Sequence, residues 1–301
     1  MLCEKKLINN HSIKEEWTMV DFLTNHFVFR PPAKPTFKFK RDSRNTFIRS
    51  VNGNDIHVLL VCPFNADTSI TDYKCTTEIL VYFHGNAEDL HTGKSYCQWL
   101  ADFTDKNVLT CDYPGYGFSY GEASESGLHD AAISLLDFAI SDLKHKMDNI
   151  VIIGKSLGSV PAVYAASQAQ CVDLGGLVLI SPIASGFRCM NISSHMPNFL
   201  LRRLDELLLP NITRINCVCC PIQFIHGLQD TVVSCSNTRD LIAALHSPCL
   251  TKPMFVEANH NDIESKFKTE FTNTIQIFLQ KCKERSTSRC DYKHDNATSL
   301  Y

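Results

Sequence analysis

The chain has 301 residues, a formal net charge of −3 and 44% hydrophobic residues. This length allows one large domain or two smaller ones with a sizeable core. The near-balanced charge excludes the basic surface typical of nucleic-acid-binding proteins, so no nucleic-acid partner is expected. No apolar run approaches the roughly 18 residues of a membrane span. The first residues also lack the apolar core of a signal peptide, so we expect a cytoplasmic protein.

The sequence contains 14 cysteines. In a chain of this length without a secretory signal, we expect reduced thiols rather than a disulfide framework. Cys217-Val218-Cys219-Cys220 with His226 nearby is an alternative metal-binding cluster. Its spacing matches no zinc pattern and indicates the beginning of a buried strand, so we predict no metal.

Residues 1–45 are poorly periodic and contain Arg30-Pro31-Pro32-Ala33-Lys34-Pro35, which favours extended chain over helix. We interpret them as an N-terminal arm packed on the domain; a membrane-facing amphipathic segment is the alternative. Residues 46–51 and 55–63 are predicted strands. Asn52-Gly53-Asn54 joins them as a hairpin turn.

The rest of the chain alternates between short apolar strands and helices. Apolar spacing predicts helices from Gly127 to Leu143 and from Lys266 to Lys283. The predicted strands are 79–83, 107–111, 150–153, 177–180, 222–225 and 254–256. This alternation predicts an α/β domain over residues 46–284, with a mostly parallel central sheet and helices on both faces. Residues 285–301 are predicted to be a polar C-terminal tail.

Residues 184–215 interrupt the alternation of short strands and helices. They contain an apolar stripe at helical spacing that includes Phe199, Leu200 and Leu204. Two interpretations stay open. The segment is either one more helix packed on the body or a short lid over an apolar site.

The motif that carries chemistry is Gly154-Lys155-Ser156-Leu157-Gly158, which follows an apolar strand and precedes an Ala-rich stretch. This is the strand–turn–helix context of a nucleophile elbow, with Ser156 as the nucleophile. A serine hydroxyl needs a base, usually a histidine oriented by a carboxylate. In the α/β-hydrolase order of serine, acid and histidine, the acid is Asp230 and the base is His260, each placed after a predicted strand. His84 and His226 are rival bases, but each stands in a His-Gly pair that more often shapes a loop.

A tetrahedral intermediate needs two N–H donors for its oxyanion. We assign one to the backbone of Leu157, directly after the nucleophile. The other comes from the loop after the strand 79–83, where we assign Asn86, with Ala87 as the alternative. No metal or organic cofactor is needed for this chemistry.

Several motifs in chain order resemble a known family, the α/β-hydrolase domain-containing protein 17 family. They are Phe83-His84-Gly85-Asn86-Ala87, Asp112-Tyr113-Pro114-Gly115-Tyr116-Gly117-Phe118-Ser119, the elbow, Ser181-Pro182-Ile183-Ala184-Ser185-Gly186, Ile225-His226-Gly227 with Asp230, and His260-Asn261-Asp262-Ile263-Glu264. The resemblance implies an α/β-hydrolase fold and a serine hydrolase that removes palmitate from cysteines of membrane-associated proteins. It places the triad on Ser156, Asp230 and His260, as the residues themselves do.

The chain departs from the family at three places. Only Cys3 lies near the start, where the family carries a cluster of palmitoylated cysteines; Cys3 is thus a candidate lipidation site. One acyl chain gives reversible membrane binding, which implies a peripheral position on the cytosolic face of membranes. Lys155 replaces the usual Gln, and Glu88 adds a charge where the family is apolar. These two changes concern substrate preference rather than catalysis.

We therefore predict a serine hydrolase that cleaves acyl thioesters through an acyl-enzyme on Ser156, with S-acylated membrane-associated proteins as substrates. A carboxylesterase or monoacylglycerol lipase with the same residues is the first alternative. The alternative from another class is a non-catalytic binding protein on a hydrolase scaffold.

Overall fold

The computed structural model describes residues 28–33, 39, 44–64, 78–168, 171–190, 197–245 and 251–298. Most of the predicted N-terminal arm, including Cys3, lies outside these residues. The strands are β1 (Asn45–Arg49), β2 (Asp55–Val61), β3 (Ile79–Phe83), β4 (Asn107–Cys111), β5 (Ile150–Lys155), β6 (Gly176–Ile180), β7 (Ile222–Gly227) and β8 (Met254–Val256). In the described part of the chain they form one sheet in the order β1-β2-β4-β3-β5-β6-β7-β8.

One edge of the sheet is antiparallel. Strand β1 pairs with β2 through the predicted hairpin, and β2 pairs with β4. Gly53 in the hairpin turn has a φ of 82°, which glycine adopts without strain. The pairs from β4 through β8 are parallel. The mostly parallel sheet predicted from the sequence is therefore confirmed.

Helices cover both faces of the sheet. They are α1 (Leu90–Thr104), α2 (Glu125–Asp137), α3 (Ser159–Ala166), α4 (Gly186–Cys189), α5 (Asn198–Asp205), α6 (Asn211–Arg214), α7 (Ser236–Ala244), α8 (Ile263–Lys266) and α9 (Lys268–Thr298). Successive strand residues point to opposite faces. Ile79, Val81 and Phe83 join the apolar cluster that contains residues of α2 and α3. Leu80 and Tyr82 join the cluster that contains residues of α1 and α9.

Among the helices of eight or more residues, α1 and α7 were not predicted from the sequence. Helix α1 begins after Asp89, whose carboxylate accepts the Thr92 N–H at 2.8 Å, while the Thr92 hydroxyl accepts the Asp89 N–H at 3.0 Å. This reciprocal cap was the sequence signal that could have identified the helix.

The two predicted helices have different bounds in the structure. The first begins at Glu125 and ends at Asp137, where it passes into a π-helical turn over Phe138–Asp142. The last helix begins at Lys268 and continues to Thr298, beyond the predicted end at Lys283. Much of the sequence interpreted as a C-terminal tail is thus helical backbone.

The segment 184–215 contains the short helices α4, α5 and α6, with residues 191–196 outside the described part. Leu201 and Leu208 are buried, which anchors the segment on the body. Phe199 is 73% exposed and Leu200 is 39% exposed. The segment therefore packs on the domain and also presents apolar side chains to its surroundings.

Two kinds of feature are absent from the described residues. No helix among them is both long and apolar enough to cross a membrane. No group of three or more His, Cys, Asp or Glu side chains among them is placed to hold a metal ion, and this includes Cys217, Cys219, Cys220 and His226.

Candidate active site

The sharpest turn of the site is at Ser156, between strand β5 and helix α3. Ser156 has a φ of 53°, in the left-handed region that a residue with a side chain adopts at a free-energy cost. A short 3-10 turn over Ser156–Gly158 leads directly into the helix. The predicted strand, turn and helix are all present.

The two glycines of the elbow are required by close contacts. A Cβ at Gly154 would lie 2.6 Å from the carbonyl oxygen of Gly158, across the turn. A Cβ at Gly158 would lie 2.1 Å from the carbonyl oxygen of Phe83, the last residue of β3. Gly154 is therefore required by a contact across the turn, and Gly158 by a contact with the neighbouring strand.

Three loops at the carboxyl ends of β5, β7 and β8 bring Ser156, Asp230 and His260 together. The Ser156 Oγ lies 2.9 Å from His260 Nε2, and His260 Nδ1 lies 2.6 Å from Asp230 Oδ2. A carboxylate only accepts hydrogen bonds, so Nδ1 carries the proton and Nε2 accepts from the hydroxyl. This arrangement can take the hydroxyl proton as the oxygen attacks.

Asp230 is held as a carboxylate. Burial by itself would raise the pKa of Asp230, but hydrogen bonds from His226 and His260 and the Val233 N–H outweigh it and hold that pKa well below its usual range. Its second oxygen accepts the N–H groups of Val232 at 2.9 Å and Val233 at 2.8 Å. The carboxylate therefore keeps its charge and a fixed orientation toward His260.

The rival histidines lie elsewhere. His226 is fully buried behind Asp230, with Nε2 3.3 Å from Asp230 Oδ2 and 2.9 Å from the Val233 carbonyl oxygen. His84 stacks on Tyr113 at 4.2 Å and donates from Nδ1 to the Gly85 carbonyl oxygen. No described hydrogen bond joins either ring to Ser156. The support that His226 gives to Asp230 was missed by the sequence analysis.

The predicted oxyanion donors belong to the two segments beside Ser156. Leu157 is the next residue of the elbow. The loop after β3 passes close by, because a Cβ at Gly85 would lie 3.9 Å from the Ser156 Cβ. In the described loops, the N–H groups of Leu157 and Asn86 have no backbone acceptor. Their action on an oxyanion stays a prediction.

Comparison with known proteins places this site in a family. The human α/β hydrolase domain-containing protein 17B is 30% identical over 229 residues, covering 75% of this chain and 72% of the human protein. The chain belongs to the α/β-hydrolase domain-containing protein 17 family. The predicted resemblance is therefore confirmed.

A second relative shows how much of a family member's length this chain covers. The Caenorhabditis elegans α/β hydrolase domain-containing protein aho-3 is 31% identical over 221 residues, covering 73% of this chain and 62% of the worm protein. The chain therefore spans less than two thirds of the length of that relative. No protein-family model matches the chain.

A solved structure confirms the predicted α/β-hydrolase fold of this member of the family. An esterase from Pyrococcus furiosus superposes with a TM-score of 0.63 at 17% identity, covering 85% of this chain and 98% of the esterase. At this identity the likeness concerns the fold alone.

In this member of the protein 17 family, the Asn86 side chain fixes the loop after β3. Its Oδ1 accepts the Arg30 N–H at 2.8 Å and the Tyr116 hydroxyl at 2.7 Å. Its Nδ2 donates to the Val28 carbonyl oxygen at 2.5 Å. The Gly-Tyr-Gly motif thus contributes Tyr116 as a support for the predicted oxyanion loop.

The family motif from His260 to Glu264 is joined to the elbow by an ion pair. The Lys155 Nζ lies 2.9 Å from the Glu264 Oε1, and the Tyr96 hydroxyl donates to the same oxygen at 3.2 Å. The Lys155 Nζ also lies 5.0 Å from the centre of the Tyr96 ring. The sequence analysis noted Lys155 as a departure from the family but did not predict its partner.

Proposed function

We propose that the chain is a serine hydrolase that removes long-chain acyl groups from protein cysteines through an acyl-enzyme on Ser156. The observation that carries the proposal is the hydrogen-bonded chain from Ser156 through His260 to Asp230. Membership of the protein 17 family supports the acyl-thioester substrate. The substrates we propose are S-acylated membrane-associated proteins, reached by peripheral contact with the cytosolic face of a membrane.

The first step is acylation. His260 Nε2 takes the proton of the Ser156 hydroxyl as Oγ bonds to the thioester carbonyl carbon. The electron pair of the carbonyl moves onto its oxygen, where the N–H groups of Leu157 and Asn86 stabilise the charge. Asp230 stabilises the imidazolium that forms. When the carbonyl reforms, the carbon–sulfur bond breaks and the cysteine sulfur leaves with the proton from His260.

The second step is deacylation by water. His260, now neutral, takes a proton from a water molecule whose oxygen bonds to the acyl carbon. The same donors hold the second oxyanion. The bond from the acyl carbon to Ser156 Oγ then breaks, the serine regains its proton from His260, and the fatty acid leaves.

The surface near these strand ends supports an apolar acyl group. Exposed apolar side chains occur in the two segments that follow β6 and β7. They are Met190, Phe199, Leu200, Leu207, Leu228 and Val232. Because these segments start at the same edge of the sheet as the Ser156 turn, their exposed apolar side chains favour an apolar ligand over a purely polar one.

The test compares a palmitoyl-cysteine peptide with a matched palmitoyl oxygen ester, using the wild type and Ser156→Ala. We expect preferential thioester hydrolysis that falls at least about a thousandfold in the variant. Hydrolysis of the oxygen ester with little thioester turnover would instead identify a carboxylesterase or lipase.

A fluorophosphonate probe tests the remaining alternative. We expect it to label the wild type at Ser156 and not Ser156→Ala, when both are folded by circular dichroism. A folded wild type with neither labelling nor turnover would contradict the proposal and favour a non-catalytic binding protein.

A further inference from the structure

The feature that the proposed reaction leaves unexplained is the carboxylate of Glu88. This residue lies in the loop between β3 and α1, directly before the capping residue Asp89. A Cβ placed on Gly85 would lie 3.3 Å from Glu88 Oε1 and 3.9 Å from the Ser156 Cβ. Because Gly85 has no side chain, no Cβ stands between the Glu88 carboxylate and Ser156, and both lie within 3.9 Å of that one position.

The charge of Glu88 has no counter-charge among the described residues. Lys155, the cation of the elbow, pairs with Glu264. Within the described part of the chain, no lysine, arginine or histidine forms a salt bridge with Glu88, and no hydrogen bond to its carboxylate occurs.

Together with burial, the negative charge of Glu88 raises the pKa of two neighbouring side chains. Burial, and then the negative charge of Glu88, raise the pKa of Cys97 to about 12. The same two causes, in the same order, raise the pKa of Tyr82 well above its usual range. Neither side chain supplies a positive charge, so the carboxylate remains unneutralised.

A carboxylate without a counter-charge near Ser156 would slow the proposed reaction. The tetrahedral intermediate carries its own negative charge, and a second negative charge nearby raises the energy of that state. A cation brought by the substrate would offset this penalty by pairing with the carboxylate.

We propose that Glu88 is a specificity-determining residue that selects acyl substrates with a lysine or arginine next to the acylated cysteine. The inference rests on the proposed acyl-thioester hydrolysis and names the chemistry of the leaving group. The guanidinium or ammonium of the substrate would pair with the Glu88 carboxylate while the acyl carbonyl lies at Ser156. The inference thus gives a role to a charge that the proposed triad does not use.

The experiment compares three octanoyl-cysteine peptides that differ only at the residue next to the cysteine, which is lysine, norleucine or glutamate. For the wild type we expect kcat/KM to be about fivefold higher for the lysine peptide than for the norleucine peptide, and lowest for the glutamate peptide. In Glu88→Gln this preference should disappear. KM should rise for the lysine peptide, and kcat should rise for the norleucine peptide, because the repulsion of the oxyanion is removed.

Two further variants sharpen this test. Glu88→Lys should reverse the order and favour the glutamate peptide. Asp142→Asn removes the same charge from an exposed position beyond α2 and should keep the wild-type preference. Equal lysine-to-norleucine ratios in the wild type and Glu88→Gln would overturn the proposal.

Binding separates this inference from the proposed function. Peptides with an S-octyl thioether in place of the thioester cannot be hydrolysed, and their Kd is measured by calorimetry. A lysine preference in Kd that Glu88→Gln abolishes supports the role of Glu88 even if no peptide is hydrolysed. Hydrolysis that depends on Ser156, without any charge preference in Kd or kcat/KM, rejects the role of Glu88 and leaves the proposed function intact.

Discussion

Lys155 and Glu264 form an ion pair of 2.9 Å that joins the residue before Ser156 to the helix after the His260 loop. The side chain of Lys155 is 10% exposed and that of Glu264 is 11% exposed, so neither charge is well solvated. The pair therefore couples the position of Ser156 to the position of His260. This coupling leads to the first prediction.

Glu264→Gln should leave the buried ammonium of Lys155 without a counter-charge. We expect the free energy of unfolding to fall by about 3 kcal/mol in urea titrations. We also expect kcat to fall more than KM rises, because the His260 loop loses a support. The double variant Lys155→Gln/Glu264→Gln should recover part of the lost stability. If the losses in Glu264→Gln and Lys155→Gln add up to the loss in the double variant, the ion pair contributes nothing.

Asp230→Asn should remove the acceptor that fixes the His260 ring. An amide can present its NH₂ group to Nδ1, which places the ring proton on Nε2 and removes the acceptor for the Ser156 hydroxyl. We expect kcat to fall by about four orders of magnitude. The measurement is steady-state hydrolysis of an acyl thioester, with fluorophosphonate labelling as a second readout. A decrease of less than tenfold would assign the acid to another residue.

Tyr116→Phe removes one of the hydrogen bonds to the Asn86 side chain, and Asn86→Ala removes all of them. The backbone N–H of residue 86 persists in both variants, so only its position is disturbed. We expect kcat to fall several-fold in Tyr116→Phe, equivalent to about 1 kcal/mol, and further in Asn86→Ala. KM should change little. Unchanged kcat in Asn86→Ala would contradict the assignment of this loop to the oxyanion hole.

His129 makes the stability of the fold sensitive to acid. Burial, assisted by the charge of Arg214, lowers the pKa of His129 to about 3, and the ring stacks on Tyr164 at 3.8 Å. In the unfolded chain a histidine has a pKa of about 6.5. Between these values only the unfolded chain binds the proton, so stability falls as the pH decreases from about 6.5, by up to about 1.4 kcal/mol per pH unit.

His129→Phe keeps an aromatic ring on Tyr164 and removes the titration. Urea unfolding at several pH values between 4 and 7 should therefore show a flatter decrease in stability for this variant than for the wild type. The same slope in both proteins would mean that His129 is protonated in the folded state.

Local sequence was enough to predict the strands and the three residues that meet at their ends. Val81 and Ile152 belong to short β-branched and apolar runs that are buried on both faces, and such runs indicate strands of a parallel sheet. Ser156, Asp230 and His260 each follow such a strand. Because parallel strands end at the same edge of a sheet, their order along the chain is enough to expect that they meet.

Helix α1 and the ion pair of Lys155 could not be predicted in the same way. The buried face of α1 combines Leu100 with Gly93 and Cys97, so its apolar periodicity is weak. Lys155 and Glu264 are separated by 109 positions in the chain, and only the packing of the helices around the sheet brings them together. Contacts of this kind depend on tertiary structure, which short motifs do not specify.

The left-handed backbone at Ser156 implies a conflict between stability and reactivity at one position. Glycine would adopt the φ of 53° without the steric cost that serine bears, so Ser156→Gly should be folded and more stable than Ser156→Ala. A related chain that did not need the hydroxyl of Ser156 could carry glycine at this position without losing stability. Under the proposed function, a side chain is kept at this unfavourable torsion angle because the reaction needs its oxygen.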